Sequence, residues 1–298
     1  MDDKILRLLA KINLEDLPTF VNTGLPTHID MVDMVDMVDL WSPSELSTAA
    51  WYDASDLSTI TEAAGAVSQL DDKSGNNQHL TQPTGAFQPA TGTYILNGLN
   101  MLYYDGTEAL ATYGDNFVVP ASGNMSIFHV AEVFLPLANT ADGMFAMLDA
   151  GGKDWQFVGG VNAANFNGRA VVNELGGTNT NFSPAMGIGG SIFNLEFNFD
   201  AGTINGYRAG NAVGGTTYTI KPTSPQTFIL MSNRVGNALA GHGGETIIVE
   251  DVTQATREKI EGYLAWKWNF VSQLPANHPF KNSAPLINGL PANLPITL

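Results

Sequence analysis

The sequence predicts an all-β sandwich, and three observations predict it. Segments rich in Val, Ile and Phe recur along the chain: MSIFHVAEVF (125–134), WQFVGGVN (155–162), SIFNLEFNF (191–199), TFILMSN (227–233) and ETIIVED (245–251). Several alternate apolar and polar residues, the pattern of a strand with one buried face. Clusters of Gly, Asn, Pro and Ser separate them, which is turn chemistry. Charged residues make up only 14% of a chain that is 44% hydrophobic, against roughly 25% charged in an ordinary soluble domain. Such a surface is built of small polar groups and turns, not of Lys/Glu-covered helices. No helical pattern alternates with the strands, so the sheet is expected to be antiparallel and two-layered.

The elements divide into an arm, a domain and a tail. Residues 1–47 form the arm. Ile5, Leu8, Leu9 and Ile12 recur at helical spacing with Lys4, Arg7 and Lys11 between them, which predicts a short amphipathic helix ending before Pro18. A helix this short is marginal alone. These four residues are therefore candidates for assembly, against the rest of this chain, a second copy or another protein. HIDMVDMVDMVDL (28–40) then places Asp30, Asp33, Asp36 and Asp39 at every third position. That period matches neither a helix nor a strand. It predicts an extended or irregular arm, in which the four Asp stand too far apart for one metal ion. It also reads as a plain linker.

Residues 48–271 form the sandwich domain, which closes with a helix. Thr253 is a good N-cap before QATREKIEGYLAWKW. Ile260, Tyr263, Leu264 and Trp268 share one apolar stripe that can lie on the sandwich. Trp266 stands about 200° round the helix from Trp268, so it covers a sheet edge or meets a partner, and it joins the assembly candidates. Pro275 and Pro279 are expected to stop the helix. Residues 272–298 read as an extended, Pro-rich tail.

Three stretches carry a resemblance. They are LSTAAWYDASDLSTIT (46–61), DDKSGNNQHLTQ (71–82) leading to LNGLNMLYYDGTEALA (96–111), and EDVTQATREKIEGYLAWKWNFVSQLPANHPF (250–280). The first supplies Trp51, Asp53, Ala54, Ser55 and Asp56, and the second Asp72, Lys73, Ser74, Gly75 and Asn76, then Tyr104 where Phe is usual, Asp105, Gly106 and Thr107. The third supplies Ile260, Gly262, Tyr263, Leu264, Ala265, Lys267 and Trp268, with His278 and Pro279 after them. In order and spacing, residues 46–282 resemble the concanavalin A-like, laminin G-like jelly-roll domains common in bacteriophage structural proteins and bacterial surface proteins. The resemblance implies a two-sheet jelly roll. It implies no single activity, because the fold hosts lectins, glycosidases and structural modules.

Several function classes are excluded. A net charge of −16 leaves no cation excess for nucleic-acid phosphates or an anionic membrane. The chain has no Cys, so it has no disulfide, thiolate metal site or Cys nucleophile. The N-terminus lacks the pattern of a signal peptide, and no stretch reaches the roughly 18–20 apolar residues of a membrane helix. P-loop and nucleophile-elbow motifs are absent.

Catalytic carboxylates are hard to find. A glycosidase of this fold class needs two on one strand face. The nearest run is LEFNFD, with Glu196, Asn198 and Asp200 on one face, which reads more naturally as a solvent face. Glu132 stands alone. His28, His79, His129, His242 and His278 are dispersed, and His129 reads as a packed, hydrogen-bonded histidine. GHGGE (241–245) reads as a turn before a strand. The Asp53, Asp56, Asp72 and Asp105 loops offer oxygen ligands suited to calcium, although Asp equally starts turns; no other cofactor is expected. Trp155 is the best single candidate for stacking a glycan, with a core tryptophan as the competing reading.

Taken together, the expectation is a non-enzymatic virion structural protein of a tailed phage, made in the host cytoplasm. It would serve as capsid decoration or head fibre, anchored by its arm to proteins such as the major capsid protein. The family's usual setting implies a homo-oligomer, a trimer. The alternative is a lectin-like module that binds host surface glycans. A polysaccharide hydrolase is third.

Overall fold

A computed structural model describes residues 40–112, 117–134, 143–148, 154–158, 169–173, 189–218, 226–232 and 238–287, with the backbone alone at 148, 154–158 and 169–173. The strands are β1 (Thr48–Asp53), β2 (Ile60–Ala63), β3 (Ala66–Leu70), β4 (Leu80–Thr81), β5 (Ala90–Leu96), β6 (Leu99–Tyr104), β7 (Leu110–Ala111) and β8 (Asn124–Val133). They continue as β9 (Gly143–Leu148), β10 (Asp154–Val158), β11 (Arg169–Asn173), β12 (Gly189–Asn198), β13 (Thr203–Arg208), β14 (Asn211–Thr217), β15 (Thr227–Leu230) and β16 (Gly241–Glu250). One α-helix of the described residues, α1 (Gln254–Trp268), follows β16.

The order β11-β10-β9-β15-β7-β4-β3-β5-β6-β16-β8-β12-β13-β14, with β1 on β16 and β2 on β3, folds over on itself. The turn-over is at β5, which pairs β6 along most of its length and meets β3 only at Ala66–Ala90. The result is an all-β sandwich. Its interior joins Tyr52, Phe193, Phe197 and Ile248 from one layer to Val67, Leu80, Phe145 and Phe228 from the other. Tyr52 stacks on Phe228 across the gap at 6.2 Å between ring centroids. On β8 the alternation is clean: Met125, Ile127 and Ala131 face this interior, and Phe128 and Val130 face outward.

Those outward residues are covered by α1. Ile260, Leu264 and Trp268 pack on Phe128, Val130, Ile192 and Ile247. Burying a side chain of this kind stabilises by about 1.5–3 kcal/mol. Thr253 caps the helix, its hydroxyl accepting from the Thr256 amide at 3.1 Å. The helix does not run on to the prolines. It stops at Asn269, a left-handed residue (φ 63°) whose N–H returns to the Ala265 carbonyl. Asn tolerates that conformation, and it ends a helix without proline.

Three further expectations change. GHGGE is not a turn but the start of β16. There Gly244 lets Trp268 approach: a Cβ would sit 3.0 Å from the indole and 3.1 Å from Val130. The domain begins before residue 48, because Trp41 is buried in the core beneath α1 and Leu40 bridges Leu286. The expected tail is not extended over 272–287: His278 is buried, and Phe280 packs so close to Gly262 that no Cβ fits there. Residues 1–39 and 288–298, including Ile5, Leu8, Leu9, Ile12 and the Asp repeat, lie outside the described residues.

Candidate functional site

Two polar clusters lie on the outer face of the helix-covered sheet. The first is built by register. Asp53 on β1 stands directly opposite Glu245 on β16, an unfavourable pairing of like charges. Lys267, in the last turn of α1, reaches between them, 2.8 Å from Asp53 Oδ2 and 2.7 Å from Glu245 Oε2. Glu245 is fully buried. It also accepts from Trp51 Nε1 at 2.8 Å, the Tyr263 hydroxyl at 3.0 Å and Trp268 Nε1 at 3.0 Å. Burial pushes Glu245 above the usual carboxylate range, the Lys267 ammonium pulls it back, and Asp53 adds to the rise. Asp53 ends below its usual range: burial raises it, but Lys267, Ser55 and Lys73 together outweigh burial. Burial would lower Lys267, and the two carboxylates raise it.

Lys73 extends this cluster. Its ammonium is 2.7 Å from Asp56 Oδ2, 3.4 Å from Asp53 Oδ2 and 4.5 Å above the Trp51 ring. The Lys73 and Ser58 hydrogen bonds hold Asp56 at about 2. Asp72 accepts from the amides of Trp51, Ser74 and Gln78. The three motif stretches of the sequence thus meet at one place, around a residue none of them contains. Glu245 stands where the expected GHGGE turn meets the expected strand ETIIVED. No signal in the sequence marked it beyond an acid in an apolar strand.

The calcium reading finds no ligand set here. Asp53 and Asp56 hold lysines, Asp72 organises its own turn, and Asp105 accepts from Thr107 at 2.9 Å. No group of three or more acidic or histidine side chains is arranged for a metal among the described residues. Asp105 instead shares a hydrogen bond with Glu108, which lowers Asp105; burial, then Asp105, raises Glu108 to about 7. The Glu196–Asp200 pair is not brought together for catalysis either. Glu196 lies 3.9 Å from Arg257, and Asp200 lies beyond the end of β12, accepting from the Gly123 amide at 3.0 Å. Trp155 is on β10, and its side chain is outside the described residues. Trp266 is 39% exposed, donating from Nε1 to the Phe280 carbonyl at 2.9 Å. His129 is buried, with Nδ1 2.9 Å from the Thr246 hydroxyl, and burial depresses it to about 3.

The second cluster lies beyond the end of α1 and is partly open to solvent: His242 is buried, while Tyr94, Tyr103, Glu132 and Phe134 are each partly exposed. Register aligns Tyr103 of β6, His242 of β16 and Glu132 of β8 in one row across the sheet. His242 Nδ1 lies 2.9 Å from Glu132 Oε2. Tyr94 comes from β5, which is irregular between Ala90 and Tyr94. After that shift Tyr94 pairs with Met101, an outward-facing residue, so its ring turns out of the sandwich. It lies flat on His242, with centroids 3.6 Å apart and planes 4° from parallel. Burial first, and then the nearby Glu132 carboxylate, raises its hydroxyl above the usual phenol range. Phe134 meets the same imidazole edge-on at 4.7 Å, and Tyr103 lies 5.6 Å away.

Sequence reading missed this cluster because its members are spread from residue 94 to residue 242. The turn Asn97–Gly98, with φ of 52° and 77°, is the one local clue. It is the two-residue turn of a tight hairpin, and it fixes β5 against β6. Asn97 also donates to the Lys267 carbonyl at 2.7 Å, tying the hairpin tip to the end of α1.

No protein-family model and no curated protein matches the chain. Among solved structures it is similar to domain 4 of AbnA, a GH43 extracellular arabinanase from Geobacillus stearothermophilus, in complex with arabinotriose. The TM-score is 0.49 and the identity 14%, over 70% of this chain and 96% of that one. It is similar also to the CBM40 of the Ruminococcus gnavus IT-sialidase bound to α2,3-sialyllactose, with TM-score 0.41 and 9% identity over 52% and 91%. A third is the binding domain of botulinum neurotoxin serotype D, with TM-score 0.45 and 10% identity over 70% and 48%.

Proposed function

We propose that this chain is a non-catalytic glycan-binding module, and that it binds through the open cluster around Tyr94. One observation carries the reading: an outward-turned aromatic ring is held rigid from behind. His242 backs its inner face, stacked at 3.6 Å, and Glu132 in turn holds His242 at 2.9 Å. A sugar presents an apolar C–H face with hydroxyls around its edge. A fixed ring bordered by a carboxylate and an imidazole offers the matching surface. Little rotamer freedom is left to lose on binding. The absence of catalysis is supported by the commitments of Asp53, Glu245, Glu196 and Asp200 to protein donors and cations.

The test is binding of the full chain to an immobilised glycan panel, beside Tyr94→Ala. The expected result is at least a tenfold weaker signal in the variant, about 1.4 kcal/mol, with the variant still cooperatively folded at the assay temperature. Equal binding by the two proteins would overturn the assignment, as would no binding by either.

The resemblance to phage structural proteins supports a second reading that can coexist with the first: a virion component that docks on other virion proteins or on copies of itself. Trp266, exposed on the solvent side of α1, favours it. The solution mass of the chain beside Trp266→Ala tests it; a defined oligomer that dissociates in the variant is the supporting outcome.

A further inference from the structure

We infer that the preferred ligand of the Tyr94 cluster is a saccharide carrying a free ammonium group, a hexosamine unit without its N-acetyl. This rests on the reading of the cluster as a glycan site and names the class of sugar. Glu132 is the one acidic residue of the cluster, and its side chain is 28% exposed. Three half-buried rings, Tyr94, Tyr103 and Phe134, gather round the same histidine. Aromatic faces and a partly exposed carboxylate both attract a cation.

The described lysines and arginines with acidic partners sit elsewhere: Lys267 and Lys73 on Asp53, and Arg257 on Glu261. The chain as a whole carries −16, a field that draws cationic ligands and repels acidic ones. A uronate or sialic acid placed here would set its carboxylate against Glu132. A free amine at the sugar edge would instead sit between that carboxylate and the ring faces.

The probes are glucosamine trimer, N-acetylglucosamine trimer and galacturonic acid trimer, titrated into the full chain at low and high salt. The variants are Glu132→Gln and Tyr94→Ala, each first shown to be cooperatively folded at the assay temperature. Glu132→Gln keeps an acceptor for His242 while removing the charge. The expected result is tighter binding of the amine trimer than of its acetylated form by about fivefold, roughly 1 kcal/mol. That preference should shrink as salt rises and vanish in Glu132→Gln, while Tyr94→Ala loses both ligands. A preference that survives in Glu132→Gln, or stronger binding of the acidic trimer, overturns the ammonium inference and leaves the site itself standing. Binding of all three trimers that Tyr94→Ala does not alter overturns the site.

Discussion

On strand β16, His242 and Glu245 stand only three positions apart, and their surroundings differ. Glu245 lies under α1, fully buried, with Lys267, two indoles and a tyrosine hydroxyl on its two oxygens. His242 lies beyond the helix, under a tyrosine that turns out of the sandwich, with a carboxylate still 28% exposed beside it. The difference teaches how to separate scaffold from site. A carboxylate whose acceptor capacity is filled by the protein has nothing left for a ligand. A ring held on one face and a carboxylate left partly open keep their chemistry for something else. On that view the helix is what converts the first region into scaffold, and the chain stops it at Asn269 before it can cover the second.

The largest effect is expected from breaking the covered network. Glu245→Ala leaves Lys267 half-paired in a buried place and strands the N–H groups of Trp51 and Trp268. Removing one partner from a buried ion pair typically costs about 3–5 kcal/mol, a large share of the roughly 5–15 kcal/mol that holds a domain folded. Urea unfolding of Glu245→Ala should show that loss, beside a Tyr94→Ala protein that loses only the roughly 0.5–1.5 kcal/mol of an aromatic stack. If the two variants lose stability alike, the division into scaffold and site is wrong.

Much of the covered half was legible in the sequence. Thr253 as N-cap, the Ile260–Leu264–Trp268 stripe and the outward Trp266 follow from helical spacing, which is a local property. Strands β8, β12 and β15 follow from apolar content in the same way. The open half was not legible. Glu132 read as isolated and GHGGE as a turn, because the row Tyr103–His242–Glu132 exists only through strand register. Pairing between residues more than a hundred positions apart leaves no local pattern. The helix stop was misread for a simpler reason: proline is a conspicuous breaker, whereas a left-handed Asn269 looks like any other residue.

A smaller effect should appear with pH, and it belongs to the sandwich interior rather than to either cluster. His129 is buried, and burial depresses it to about 3, against about 6.5 when unfolded. The unfolded chain therefore takes up a proton that the native state refuses. That contribution is whole above pH 6.5 and is lost steadily as pH falls toward 3. At pH 5 the loss is about 2 kcal/mol, from 1.36 kcal/mol per pH unit. Asp53 and Asp56, both held below the usual carboxylate range, add a loss in a separate window, below about 3.8. Glu108, raised to about 7, and Glu245 take up protons in the folded state and contribute a slope of the opposite sign. Urea unfolding from pH 7.5 to 4 should therefore show the wild type losing stability relative to His129→Asn, by about 2 kcal/mol at pH 5. Parallel pH profiles in the two proteins would move the titrating group elsewhere.

The smallest effect is a control on the independence of the two halves. Thr253 caps the end of α1 remote from Lys267 and from Tyr94. Its hydroxyl accepts from the Thr256 amide, and Thr253→Ala leaves that donor to water. Losing an N-cap costs about 1 kcal/mol, and the first turn frays. The last turn stays docked, because Lys267 holds Asp53 and Glu245 and its carbonyl holds Asn97. Thr253→Ala should therefore lower the urea midpoint slightly and leave glycan affinity at the wild-type value. A fall in affinity would mean that the helix reaches the open cluster through the Asn97 hairpin. The two regions would then have to be treated as one coupled unit rather than as scaffold and site.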